Sequence, residues 1–261
     1  MKFALVNRQR QEAQPNLSGN CQTCDHPMVA KCGEVRIWHW AHLGGRHCDP
    51  WWENETQWHR AWKGRFPVDW QEVVHRAETG EKHISDVKTD RGWVIEFQHS
   101  YLKPEERRSR DAFYPKLIWV VDGTRRKRDA EKFFAAWHES SPVANSSFVR
   151  RLRADECALV HEWADSHAPI FLDFGDVQGL WWVTPGRSAG SVYVAPFPHA
   201  DFVKIHRSDV TQKDLFDELV KKLSELVAAQ EALRQSQAMN RAFPQPTSGG
   251  LPPRSRRRGR F

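Results

Sequence analysis

The stretch HISDVKTDRGWVIEFQHS, residues 83–100, constrains the chain more tightly than any other. Two apolar runs flank Asp90, Arg91 and Gly92, and a three-residue loop with glycine in its left-handed position closes such runs into a β-hairpin. Counting outward from that turn sets Thr89 against Trp93, Lys88 against Val94, Val87 against Ile95 and Asp86 against Glu96. Two carboxylates then sit directly opposite on one sheet face, with Cβ atoms ~5 Å apart, where like charges repel. Gln98 follows Glu96 by two residues and shares that face, while Val87, Ile95 and Phe97 alternate onto the other, toward a core. Two readings account for the paired acids. Either both point into water, or they hold a hard cation such as Mg²⁺, which binds one or two carboxylates together with water and phosphate oxygens.

A second cluster of chemistry lies upstream. Cys21 and Cys24, in CQTC, have the spacing of a metal knuckle, and HWAH supplies His39 and His42. The intervening MVAKCGEVRIWHW reads as a small hairpin turning at Gly33. Two cysteines and two histidines match a four-coordinate zinc site. So short a region lacks a core of its own, and a structural metal would help it fold. Cys32 and Cys48 are spare ligands. The competing reading is reduced, buried cysteines beside a stacked aromatic patch.

PWWENETQWHRAWKGRF, residues 50–66, reads as a helix in which Trp51, Trp58, Trp62 and Phe66 form one apolar stripe. Glu55, His59 and Lys63 run beside that stripe at four-residue intervals. They serve either as helix-stabilising pairs, worth only tenths of a kcal/mol each, or to aim Glu55 at the acids of the hairpin. A strand follows at 68–74, then the hairpin. KPEERRSRDAFY opens a helix with Pro104 and two acids in its first turn and puts Arg110 and Tyr114 on one face. KLIWVVDG is an apolar strand, and RRKRDAEKFFAAWHE a further helix. The order helix, three strands, helix, strand, helix describes a compact mixed α/β unit.

Beyond residue 150 the pattern predicts a helix in DECALVHEWADSH and strands in PIFLDFGD, LWWVTP and SVYVAPF, forming an added antiparallel sheet. Leu215, Leu219, Leu226 and Leu233 fall near heptad spacing in a long helix, which either packs on its own domain or pairs two chains as a short coiled coil. The divisions expected are a zinc-binding module at 1–50, an α/β core at 51–140, a β-rich extension at 141–210, the long helix at 211–240 and a basic tail at 241–261. With 39% hydrophobic and 28% charged residues the chain is globular in composition, and no stretch has the length of a transmembrane span. The N-terminal apolar run is too short for a signal peptide, so the expected compartment is the cytoplasm, where five cysteines stay reduced. Residues 243–261 hold five arginines and no acids; removing them from the net charge of +6 leaves +1 for the rest. Such an arm, rich in Pro, Gly and Ser, either binds nucleic acid non-specifically or acts as a solubilising tail.

Taken in order, these motifs resemble the competence protein CoiA-like family, a branch of the PD-(D/E)xK nuclease superfamily. The resemblance spans about residues 1–140: CQTC with HWAH as the zinc module, ENETQWHRAWK as the first nuclease helix, then SDV, VIEFQHS, RDAFY and LIWVVDG. It implies a restriction-endonuclease-like mixed sheet flanked by helices, behind the N-terminal zinc module. It also implies that Glu55, Asp86, Glu96 and Gln98 are catalytic, with Asp86 and Glu96 holding Mg²⁺ or Mn²⁺. Arg110 and Tyr114 match positions on the helix after the hairpin. Lys63, Arg110 and Tyr114 are the candidate DNA contacts, Arg110 to a phosphate. Gln98 stands where the superfamily usually has lysine. A glutamine hydrogen-bonds but carries no charge, so that part of the work falls to the metal or to a neighbour such as Lys63 or Lys88.

The function expected is metal-dependent hydrolysis of DNA phosphodiesters, in competence, recombination or defence against phage and mobile elements. The alternative is a nuclease fold that no longer cuts and serves as a nucleic-acid-binding adaptor, with the long helix joining two copies or a protein partner. A zinc hydrolase on another substrate fits less well, because the Cys/His set looks closed rather than catalytic.

Overall fold

The computed structural model describes residues 1–44, 48–143, 146, 148–185, 190–208, 211 and 213–242. Of the basic tail expected at 241–261, residues 243–261 lie outside the described residues, while Arg241 and Ala242 close the last helix. Two sheets organise the chain. The first is antiparallel and built from β1 (Phe3–Val6), β2 (Gln9–Glu12), β3 (Ser18–Asn20), β4 (Pro27–Lys31) and β5 (His39–His42), in the order β2-β1-β3-β4-β5. Its small core consists of Ala4, Ala13, Cys21, Met28 and Trp40. That is few apolar groups for an independent fold, as the sequence implies.

The second sheet is mixed. Helix α1 (Gln57–Lys63) and a single 3₁₀ turn at Val68–Trp70 lead into β6 (Gln71–Arg76), β7 (Lys82–Lys88) and β8 (Val94–Gln98). Helix α2 (Pro104–Phe113), strand β9 (Leu117–Asp122) and helix α3 (Asp129–Glu139) follow. The chain continues through β10 (Ser141–Pro142), β11 (Arg150–Arg153), α4 (Ala158–Trp163), β12 (Ile170–Asp173), α5 (Gly175–Gln178), β13 (Leu180–Pro185) and β14 (Ser191–Phe197), and ends in α6 (His199–His206) and α7 (Leu215–Ala242). The strand order is β10-β11-β14-β13-β12-β9-β8-β7-β6, with β8, β9 and β12 parallel. The strands after residue 141 thus form no separate sheet. Strand β12 docks beside β9, Ile170 against Trp119, because both strands are apolar on both faces and only a covered, parallel interior position buries both.

Helices cover both faces. On one, Val94, Trp119, Val121, Ile170 and Leu172 meet Phe133 of α3 and Leu159, Val160 and Trp163 of α4. On the other, Val87, Ile95, Phe97, Val120 and Phe171 meet Trp62 of α1, Phe202 of α6 and Phe216 of α7. The hairpin register is as counted, with Val87 opposite Ile95 and Lys88 opposite Val94. Gly92 turns the chain at φ +79°, and Thr89 N–H donates to the Trp93 carbonyl at 2.8 Å.

Two elements differ from expectation. The helix expected over 50–66 begins only at Gln57, capped by Thr56, whose hydroxyl accepts the His59 N–H while the His59 ring takes the Thr56 N–H. Upstream, the Asp49 and Glu53 side chains bond to His83, Ile84, Gln98 and Ser100 instead of supporting local helix. Trp51 accordingly leaves the stripe and packs against the core on the opposite face of the sheet. In α7 the first half packs on its own sheet through Phe216, Leu219 and Leu223, whereas Leu215 and Leu233 of the heptad set are 47% and 46% exposed. No helix among the described residues is long and apolar enough to cross a membrane.

Candidate metal centre and acidic cleft

The knuckle is a tight turn. Asp25 N–H donates to the Cys21 carbonyl, Asp25 takes φ +58°, and Thr23 N–H points at Cys21 Sγ at 3.4 Å. The sulfurs of Cys21, Cys24 and Cys48 and a ring nitrogen of His42 all lie within 4.8 Å of one another. Cys21 Sγ is 3.6 Å from Cys48 Sγ, and Cys24 Sγ is 3.4 Å from His42 Nε2. Tetrahedral zinc, with bonds of about 2.3 Å to sulfur and about 2.0 Å to nitrogen, requires edges of roughly 3.8 and 3.5 Å. The set therefore fits zinc. Burial, followed by the neighbouring Cys21 and Cys24, pushes the Cys48 thiol far up, a repulsion that a bound cation would reverse.

His39 does not belong to this set, and Cys48 takes the place expected for it. The reason is the strand. His39 and His42 are three apart in β5, and side chains that odd number of residues apart point to opposite faces. Residue spacing alone does not distinguish this from a helical pair. His39 Nδ1 instead meets the Ile37 carbonyl at 2.9 Å.

The two hairpin acids share a cavity of about 220 Å³ between the two sheets, lined also by Cys48, Glu53, Glu55, Lys63 and Arg110. Beyond Val87 and Ile95 the β7–β8 ladder is carried by side chains. Asp86 N–H donates to Glu96 Oε1 at 3.3 Å, and Phe97 N–H donates to Asp86 Oδ2 at 2.9 Å. Glu96 Oε2 accepts from Arg110 at 3.2 Å. Burial and the Asp86 charge outweigh Arg110 and push the Glu96 carboxyl up to about 8. Tyr114 feels the same carboxylates: burial first, then Glu96 and Asp49, raise its phenol, and its buried hydroxyl has no hydrogen-bond partner among the described residues.

Lys63 is a second cation of the cleft, beside Arg110. Its Nζ lies 2.5 Å from Glu55, 3.0 Å from Glu72 and 3.7 Å from Asp86. Burial would discharge it, but three carboxylates raise it well above the ordinary lysine range. Glu55 is held by Lys63 and by Arg60 at 3.0 and 2.8 Å. Burial would raise its carboxyl, yet these cations hold it at about 2. Glu55 is thus one lysine removed from Asp86, an ion-pair anchor rather than a third open ligand. Glu72, at φ +48°, accepts the Lys2 and Phe3 N–H groups at 2.6 and 3.0 Å and fixes the first sheet to the second.

Gln98 Nε2 donates to Glu53 Oε2 at 2.8 Å and to the Ser100 carbonyl at 3.1 Å, and Ser100 N–H donates to Glu53 Oε1 at 2.8 Å. Glu53 is a site residue that sequence reasoning missed. It sits in an irregular segment, and no periodicity marks it. Comparison with models of known families, with curated proteins and with solved structures finds no significant match.

Proposed function

We propose that the chain is a divalent-metal-dependent DNA nuclease of the PD-(D/E)xK type, with a structural zinc beside the active cleft. The observation that carries this reading is the pairing of Asp86 and Glu96 in one cavity, on a hairpin followed by α2 and the parallel strand β9. The order α1, β6, β7, β8, α2, β9 is the one the resemblance implies, and the buried Tyr114 hydroxyl, which feels the same acids, has no hydrogen-bond partner among the described residues. Asp86 and Glu96 would hold Mg²⁺ or Mn²⁺, which polarises the scissile phosphate and lowers the pKa of attacking water. Lys63 supplies near Asp86 the positive charge that Gln98 lacks. Arg110 balances Glu96, and Gln98 is oriented through Glu53.

The test is incubation of the full chain with single-stranded and duplex DNA in Mg²⁺, Mn²⁺ or EDTA. Cleavage that needs the ion and is absent in Asp86→Asn supports the reading; cleavage that survives in Asp86→Asn sinks it. A second reading is favoured by one specific feature. Lys63 and Arg110 already pair with Asp86 and Glu96, as in a closed site that binds nucleic acid without cutting. In that case DNA binding is indifferent to EDTA.

A further inference from the structure

Strands β7 and β8 pair only at Val87–Ile95 and Lys88–Val94, although β7 begins at Lys82. The gap beside the first half of β7 is filled by the irregular segment 49–53. Asp49 follows metal-set member Cys48 directly. Its Oδ2 accepts the Ile84 N–H at 2.9 Å, two residues before Asp86, and its Oδ1 meets His83 Nδ1 at 2.9 Å. The Trp51 ring stacks on His83 with centroids 3.2 Å apart, and the Trp51 carbonyl accepts from Arg110 at 2.8 Å. Glu53 then takes the Gln98 amide and the Ser100 N–H. One segment, anchored at one end in the metal set and at the other in the Thr56 cap of α1, therefore grips β7, Arg110 and Gln98.

We infer that this segment couples the Cys/His metal centre to the acidic cleft, with Asp49 and Glu53 as positioning residues: zinc at the first site sets the geometry that receives a divalent cation at the second. The cleft half rests on the nuclease reading above; the mechanical half does not. Zinc draws the Cys48 sulfur into a fixed tetrahedron, and the adjoining residue is the one that holds Ile84. Without zinc nothing ties the Cys48 sulfur to the other three ligands, and Asp49 loses its fixed end. Outer-shell partners of this kind alter metal affinity by 10- to 100-fold when removed.

Hydrogen exchange on the full chain, zinc-loaded and zinc-stripped, tests the coupling, with Zn²⁺ alone as the probe. The Ile84 and Ser100 amides are expected to exchange about tenfold faster without zinc, while Thr89 and Val120 keep their protection. In zinc-loaded Asp49→Asn the Ile84 amide should loosen in the same way with zinc content unchanged. In zinc-loaded Glu53→Gln the affinity for Mn²⁺, read by electron paramagnetic resonance, should fall about tenfold. Unchanged exchange at Ile84 and Ser100 on zinc removal overturns the coupling. If stripping zinc unfolds the whole chain, Asp49→Asn decides: an Ile84 amide as protected as in the parent overturns it. If the parent takes up no Mn²⁺ while the exchange still responds, the nuclease reading fails and the mechanical coupling stands.

Discussion

At the scale of single residues, Asp86 and Glu96 carry opposing demands. Without metal, burial and the Asp86 charge raise the cost of ionising Glu96, whose carboxyl moves up to about 8. A carboxyl whose folded pKa lies above its unfolded value binds more protons in the folded state. Its stabilising contribution is complete below about 4.5 and is lost as pH rises through about 8. Metal-free protein should therefore lose up to a few kcal/mol over that window, measured by urea melts at stepped pH. Asp86→Asn removes the like charge, so its metal-free stability should fall less steeply with pH and exceed the parent's at neutral pH. The same variant should lose all Mg²⁺-dependent cleavage and the thermal stabilisation by Mg²⁺. Activity and stability moving in opposite directions mark a functional site. Gln98→Lys tests the departure from the superfamily pattern. Its ammonium would still meet Glu53, so cleavage should persist at a level equal to or above the parent's.

Elements are held by a few buried polar contacts. Asp173, at the end of β12, accepts the indole N–H groups of Trp58 and Trp62 at 2.8 Å each and pairs with His199 at 2.9 Å, joining α1 and α6 to the sheet. Burial would raise its carboxyl, but these donors hold it below the ordinary aspartate range. Asp173→Ala should cost about 2–4 kcal/mol, since it leaves one buried and one half-buried indole N–H group without acceptors. A melting temperature within a degree of the parent's would show that water replaces the carboxylate. In the first sheet, one zinc per chain is expected by metal analysis. Cys21→Ser and Cys48→Ser should lose it and misfold, whereas His39→Ala should keep it, because β5 turns that ring away from the sulfurs.

For the whole molecule, charge is distributed unevenly. Five of the arginines lie in residues 243–261, against a net charge of +6 for the chain. Deleting those residues should weaken DNA binding and flatten the slope of log K against log salt by up to about 4, the figure for five lost phosphate contacts. An unchanged slope would make the segment a solubiliser. The joint between the two sheets also belongs to this scale. The Glu72 carboxylate holds the Lys2 and Phe3 N–H groups, so the cleft exists only where both sheets meet.

The hairpin register, the glycine turn and the apolar face of β7 and β8 were legible in residues 83–100, because each depends on a two-residue alternation and a local turn. The knuckle cysteines were legible for the same reason, being four residues of one turn. The fourth metal ligand was not. Choosing Cys48 over His39 depends on 39–42 being strand rather than helix and on Cys48 lying beside Cys21 in space, neither of which spacing records. Asp49, Glu53 and Glu72 escaped notice because the contacts to His83, Gln98 and Lys2 that give them their roles span 34, 45 and 70 residues, and Asp49 and Glu53 lie in an irregular segment with no period to betray them. The joining of β12 to β9 likewise waited on the tertiary structure: an apolar strand is satisfied by any covered neighbour, and only the packing of α3 and α4 over both strands selects one. Local alternation and turn chemistry are written in adjacent residues, whereas the closure of a site is decided by which distant groups can be desolvated together.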